Sequence, residues 1–132
     1  MNYLLDTNIC IHFFRGRFNL LSKFEEVGIE NLAISEITLA ELVYGAEKSQ
    51  HPTKNHKLIQ ELLEFVAVLP IYSAIYFYGK EKARLVSSGT MIGDYDLLIG
   101  CTAVENELIM VTENTSEFER IDKIKIQNWI NR

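Results

Sequence analysis

NYLLDTNICI, Asn2 to Ile11, places an aspartate between two segments that both belong in a core. Tyr3, Leu4 and Leu5 read as a strand, expected over Asn2 to Leu5. Ile9 and Ile11 carry the apolar pattern into a short helix, expected over Ile9 to Phe14. A carboxylate between them, Asp6, is costly unless it is hydrogen-bonded, paired or used. No lysine or arginine precedes Arg15 to pair with it. Its structural role would be to cap the helix that follows. Thr7 and Asn8 stand closer to that helix start, however, and cap as well.

The rest of the chain repeats the scheme of a short apolar run followed by a longer helical pattern. Strands are expected at Leu32 to Ser35, Ala67 to Ile71, Leu108 to Thr112 and Ile124 to Trp129. Helices are expected over Asn19 to Glu26, Glu36 to Ser49, Thr53 to Phe65, Ser73 to Val86 and Asp94 to Asn106, with a short one within Glu113 to Arg120. This alternation predicts βαβ units and a parallel sheet covered on both faces. The first and fourth strands are continuous apolar runs, as strands buried on both faces must be. In such folds ligands bind at the carboxyl ends of the strands, near the point where the strand order reverses. Asp6 falls at such an end.

Bulk numbers narrow the possibilities. The chain has 132 residues, of which 48% are hydrophobic and 23% charged, so one globular domain spanning 1–132 is expected. No repeat or low-complexity linker is visible. The longest apolar run, FVAVLPIYSAIYF from Phe65 to Phe77, is too short to span a bilayer and contains Pro70. No basic-then-apolar leader precedes the first strand, so a cytoplasmic protein is expected. Cys10 and Cys101 lie far apart in apolar contexts and read as buried, reduced thiols. The net charge of -5 argues against a general nucleic-acid binder, which is usually basic.

Acids recur at the other element ends. Glu36 and Glu41 follow the second strand. Thr38 with Glu41 has the S/T-x-x-E spacing of a capping box, so Glu41 reads equally as a cap or as a site residue. Glu36 reads as a solvated acid of the first helical turn. Asp94 and Asp96 open a very apolar helix, with Asp94 the better-placed cap. Glu113, Asn114 and Glu117 follow the fourth strand, and Thr115 or Ser116 could cap the short helix there. Several carboxylates gathered in one cleft repel one another unless a cation sits among them. Oxygen ligands without Cys or His partners select Mg²⁺ or Mn²⁺. His12, His51 and His56 have no zinc-type spacing, and no phosphate loop, serine elbow or cysteine nucleophile motif is present.

Four segments, YLLDTNICI, SEITLAELVYGAEKS, IGDYDLLIGCTA and VTENTSEFERI, occur in an order and with gaps that resemble the PIN-domain ribonucleases, specifically the VapC-type toxins of bacterial toxin–antitoxin pairs. The resemblance runs from Asn2 to Trp129. It implies a PIN-like α/β fold with a central five-stranded parallel sheet, an Mg²⁺- or Mn²⁺-dependent site, and endonucleolytic cleavage of structured RNA, with tRNA the favoured substrate. It implies catalytic roles for Asp6, Glu41, Asp96 and Glu117, with Asp6, Asp96 and Glu41 as metal ligands. Many family members carry an aspartate where Asn114 stands here, and Glu117 is the nearby acid that would supply the missing charge. Thr7, Asn8, Thr112 and Asn114 are expected to hydrogen-bond the ligands. The resemblance further implies a homodimer and a VapB-type antitoxin that blocks the cleft within a toxin–antitoxin hetero-oligomer.

From the residues alone, Arg15 and Arg17 are candidates to contact RNA, since phosphate contacts need only local positive charge. The aromatics of YSAIYFYG (Tyr72, Tyr76, Phe77, Tyr78) read as core or subunit contact rather than as base-stacking surface. A catalytically weak RNA- or protein-binding module of the same fold is the alternative, and Asn114 is the feature that favours it. A phosphoacceptor signalling domain would need an aspartate after the third strand, where LPIYS stands instead.

Overall fold

The computed structural model describes residues 2–132. Five strands form one fully parallel sheet: β1 (Tyr3–Leu5), β2 (Leu32–Ser35), β3 (Ala67–Leu69), β4 (Ile109–Val111) and β5 (Lys125–Gln127), in the order β3-β2-β1-β4-β5. The chain builds outward from β1 on one side through β2 and β3, then returns to the other side with β4 and β5. The reversal lies between β1 and β4, and their carboxyl ends form the crevice such a break creates.

Alternate side chains of each strand enter opposite layers. On one face Leu5, Ile34 and Val111 pack under α1 (Thr7–Phe14), α2 (Leu20–Val27), α3 (Glu36–Glu47) and α4 (Pro52–Leu63). On the other, Leu4, Ala33 and Met110 pack under α5 (Ile75–Ser88), α6 (Asp94–Glu105) and α7 (Thr115–Phe118). Trp129 closes the first layer, packing edge-to-face on Tyr3 with the ring centroids 5.1 Å apart. Both cysteines are free and buried. Among the described residues no helix is long and apolar enough to cross a membrane.

β2 occupies the expected residues; the other strands are shorter by one or more residues at one or both ends. A 3-10 turn at Tyr72–Ala74 precedes α5, so that helix begins two residues later than Ser73 and ends at Ser88 rather than Val86. Tyr72 and Tyr76 are exposed, at 83% and 93%, which removes them from the core.

α6 meets α7 at a glycine. A Cβ added at Gly100 would stand 2.3 Å from Ile121 Cδ1 and 3.2 Å from Phe118 Cδ1. Ile121 and Phe118 are themselves buried and have little room to yield. Gly100→Ala should therefore destabilise the fold by about 1–3 kcal/mol, the usual cost of overpacking, despite alanine's better helix propensity. Urea denaturation checks this; an unchanged or higher midpoint would contradict the tight α6–α7 approach.

Candidate active site

Asp6 is the residue on which the crevice is built. Its backbone N–H donates to the Val111 carbonyl at 2.9 Å, so the β1–β4 pairing fixes its position. α1 begins at Thr7 rather than Ile9, which makes Asp6 itself the N-cap rather than Thr7 or Asn8, the alternatives nearer the expected helix start. Asp6 Oδ1 accepts from the Thr7 N–H at 2.8 Å. Asp6 Oδ2 accepts from the Thr112 hydroxyl, also at 2.8 Å, from the end of β4. The Thr112 Oγ1 in turn accepts the Asn114 N–H at 2.9 Å. The carboxylate is buried, yet both its oxygens are satisfied by neutral donors.

Glu41 reaches the same place from the second turn of α3. The Thr7 hydroxyl donates to Glu41 Oε1 at 2.7 Å and stands 3.1 Å from Thr38 Oγ1. Thr7 has one hydroxyl proton, and the shorter bond to the carboxylate takes it; the Thr38 hydroxyl can then donate to Thr7. Of the two readings of Glu41, cap or site residue, the capping box with Thr38 is therefore absent. Ser35 caps α3 instead, accepting the Ile37 N–H at 3.1 Å. Thr38, buried inside the first turns, supports the site through Thr7.

Asp96 lies in the first turn of α6, half-buried, and takes no side-chain hydrogen bond among the described residues. Its carboxyl is pushed up to about 6, first by burial and then by the negative charges of Asp6, Glu41 and Glu117. The Asp6 carboxyl is also raised, chiefly by burial and additionally by Glu41, against the lowering effect of its bonds from Thr112 and Thr7. Glu117, on α7, accepts from the Asn114 side-chain amide at 3.1 Å. Four carboxylates from β1, α3, α6 and α7 thus share one electrostatic neighbourhood. Among the described residues none of the four pairs with a lysine, arginine or histidine. Nor, among those residues, are three such groups already drawn into a cage that could hold a metal ion.

The donor set tests whether a divalent cation suits the place. All four groups are hard oxygen donors, the chemistry of Mg²⁺ and Mn²⁺. The nearest soft group, the Cys10 thiol, is fully buried and pushed far above its usual range by burial and by Asp6, so it remains a protonated core residue. The residues present fit a hard divalent ion.

The other candidates divide. Thr7, Thr112 and Asn114 all bond the carboxylates. Asn8 is exposed and makes no side-chain hydrogen bond among the described residues. Asp94 does not cap α6, whose N-cap is Gly93; α5 draws its carboxylate away through Lys82 at 2.9 Å and the Tyr78 hydroxyl at 2.9 Å. Neither Thr115 nor Ser116 caps α7, for the N-cap position belongs to Asn114. Glu36 is exposed as expected, and also accepts the Ile71 N–H at 2.8 Å after β3. Arg15 lines a groove next to Glu41, whereas Arg17 is exposed and does not line it. Thr38 is the supporting residue that local capping rules misread, because its partner lies 31 positions away.

A raised carboxyl pKa has a definite consequence for stability. The folded state of the metal-free chain holds the Asp96 proton more tightly than the unfolded state, whose value is near 3.8. The resulting stability is fully present below that unfolded value and is lost as pH rises through about 6. Asp6 acts in the same direction. In EDTA the protein should accordingly melt at a higher temperature at pH 5 than at pH 7, and Asp96→Asn should reduce that difference. A melting temperature that rises from pH 5 to pH 7, or a variant with the wild-type slope, would contradict the shared field.

Comparisons with known proteins agree with the architecture. The PIN-domain family model matches residues 3–124. The chain is 37% identical over 134 aligned positions to ribonuclease VapC2 of Haemophilus influenzae, covering 98% of this chain and 99% of that protein. It is 35% identical to the tRNA(fMet)-specific endonuclease VapC of Salmonella typhimurium, with 98% of each covered. Its structure resembles a chain of the DNA-bound VapBC complex from Salmonella typhimurium with a TM-score of 0.90 at 36% identity, covering 98% of both chains. A reversing parallel sheet, acids at its carboxyl edge and near full-length similarity to these relatives lead to one assignment: the chain belongs to the PIN-domain family, within its VapC branch.

Proposed function

We propose that this chain is a divalent-metal-dependent endoribonuclease that acts as the toxin of a toxin–antitoxin pair. The observation that carries the reading is the convergence of Asp6, Glu41, Asp96 and Glu117 on one crevice, where burial first and the neighbouring negative charges second push the Asp96 carboxyl up to about 6, and where none of the four is ion-paired among the described residues. Asp6, Asp96 and Glu41 are assigned as the metal-holding residues, with Glu117 completing the catalytic acids. Bound there, Mg²⁺ or Mn²⁺ would supply a water acidic enough to ionise near neutral pH and would offset charge developing on the phosphate.

The chain's own contribution is orientation. Thr112 and the Thr7 N–H fix the two Asp6 oxygens, so that the carboxylate keeps its direction without a salt bridge. The Thr7 hydroxyl turns Glu41 toward the same crevice. Asn114 holds Glu117 rather than serving as a ligand itself, which gives this departure from the more common aspartate a structural purpose. Asp96 takes no side-chain hydrogen bond among the described residues, which leaves its carboxyl free to turn toward a bound ion.

The substrate favoured is tRNA, the activity named for the Salmonella relative. The partner favoured is a VapB-type antitoxin, in keeping with the VapBC complexes to which this fold is similar. Exposure of Tyr72 and Tyr76 supports a homodimer built on that face. A cytoplasmic location follows from action on tRNA.

Incubating the protein with total tRNA and Mg²⁺, and mapping the new 5′ ends, tests the activity. Cleavage should be abolished by EDTA and restored by excess Mg²⁺ or Mn²⁺. Asp6→Asn should reduce the rate by at least ~100-fold while keeping the fold, since asparagine is also a good N-cap. An Asp6→Asn variant that cuts at the wild-type rate would end the assignment. Thr112→Val should weaken the half-saturating Mg²⁺ concentration by about 10–100-fold, as loss of a ligand-orienting bond does. A normal metal response in that variant would refute the orienting role.

A further inference from the structure

Glu81 on α5 is a buried carboxylate, 2% exposed, that the chemistry above does not use. Arg84, one turn along, donates to both its oxygens, from Nη2 to Oε1 at 2.7 Å and from Nε to Oε2 at 2.9 Å, and so holds the carboxyl below its ordinary range. A buried ion pair is a weak source of stability, so its other bonds carry the information. Both members reach the turn that follows α7. Glu81 Oε1 accepts the Asp122 N–H at 2.7 Å, and Arg84 Nη2 donates to the Arg120 carbonyl at 2.8 Å. The backbone from Arg120 to Asp122 is thereby pinned to α5 at two points, with the buried Ile121 between them.

The Arg120 side chain leaves this pinned backbone for another element. Its Nη1 donates to the Met91 carbonyl at 2.9 Å. Met91 lies in the connection that enters α6, between Gly89 and Gly93 and five residues before Asp96; Arg120 itself stands three residues after Glu117. Among the described residues no other hydrogen bond holds Met91 or Ile92. Resting on the reading of the four acids as one metal site, we propose that Arg120 is a positioning residue that sets the spacing of Asp96 and Glu117 by fastening the entrance of α6 to the end of α7. α5 is the frame, through Glu81 and Arg84. Among the described residues Arg120 bonds none of the four acids, so it acts on them through the backbone alone.

The variants that test this are Arg120→Gln, Arg120→Lys and Glu81→Gln, with Lys125→Gln on β5 as the control for a lost positive charge. Mn²⁺ binding to the RNA-free protein is titrated by electron paramagnetic resonance. Hydrogen exchange in EDTA follows the Leu97 amide, which bonds the Gly93 carbonyl at 2.9 Å across the first turn of α6. kcat and KM are measured on total tRNA with Mg²⁺. Removing a positive charge by itself tightens binding of a cation, whereas removing the brace weakens it, so the sign separates the two effects. Arg120→Gln should weaken Mn²⁺ binding by about 5–10-fold, somewhat less than loss of a bond made directly to a ligand. It should speed Leu97 exchange by about tenfold and lower kcat more than it raises KM. Its melting temperature should stay near wild type, because the side chain is exposed. Arg120→Lys keeps a donor and should recover part of each loss. Glu81→Gln should move binding and exchange in the same direction while also lowering the melting temperature. Lys125→Gln should not weaken Mn²⁺ binding.

Mn²⁺ binding as tight as wild type or tighter in Arg120→Gln, or an unchanged Leu97 exchange rate, would overturn the proposal. An equal loss of Mn²⁺ affinity in Lys125→Gln would do the same. A wild-type chain that shows these Mn²⁺ and exchange effects yet cuts no RNA would sink the ribonuclease reading and leave the positioning role standing.

Discussion

Burial, reinforced by repulsion among like charges, governs the carboxylates in the crevice between β1 and β4. Folding carries four carboxylates to one edge of the sheet, from residues as distant in sequence as Asp6 and Glu117, and among the described residues none of them is ion-paired. The chain tolerates this by bonding them to neutral donors: Thr112 and a backbone N–H for Asp6, Thr7 for Glu41, Asn114 for Glu117. These bonds direct the oxygens but leave the net charge in place. A salt bridge would have stabilised the acids more simply. Leaving the charge unneutralised costs stability, a compromise common at functional sites.

The two-layer architecture makes that compromise affordable to the fold. Leu5 and Val111 on one face and Leu4 and Met110 on the other anchor β1 and β4 in separate apolar layers. The strands that present Asp6 and Thr112 are therefore held by packing that does not involve the acids. Helix ends do the rest. Asp6 at the N-cap of α1 and Asp96 in the first turn of α6 are favoured by the partial positive charge of those helix N-termini.

Much of this was legible in the sequence, and the errors share a cause. Leu32 to Ser35 could be read to the residue because a doubly buried run ends there at a serine that caps the next helix. Asp6, Glu41 and Asp96 could be picked out because each stands at an element boundary where the fold places ligands. Capping was where the reading failed. Thr38 with Glu41 has the local spacing of a capping box, but Glu41 is bonded by a residue 34 positions away. Asp94 has the position of a cap, but α5 claims it through Lys82 and Tyr78. Local rules rank the donors and acceptors within a few residues and cannot rank one brought by another element.

The bond from Thr112 to Asp6 joins residues 106 positions apart. It has a consequence for the order of events at the ribosome. β4 is the sheet's partner for β1 on that side, so a nascent chain still short of Thr112 has neither the strand that positions Asp6 nor the hydroxyl that directs it. The first two-thirds of the protein can emerge and begin to collapse without assembling a working centre. An enzyme whose products would stall translation is thereby kept inert until most of its own synthesis is over.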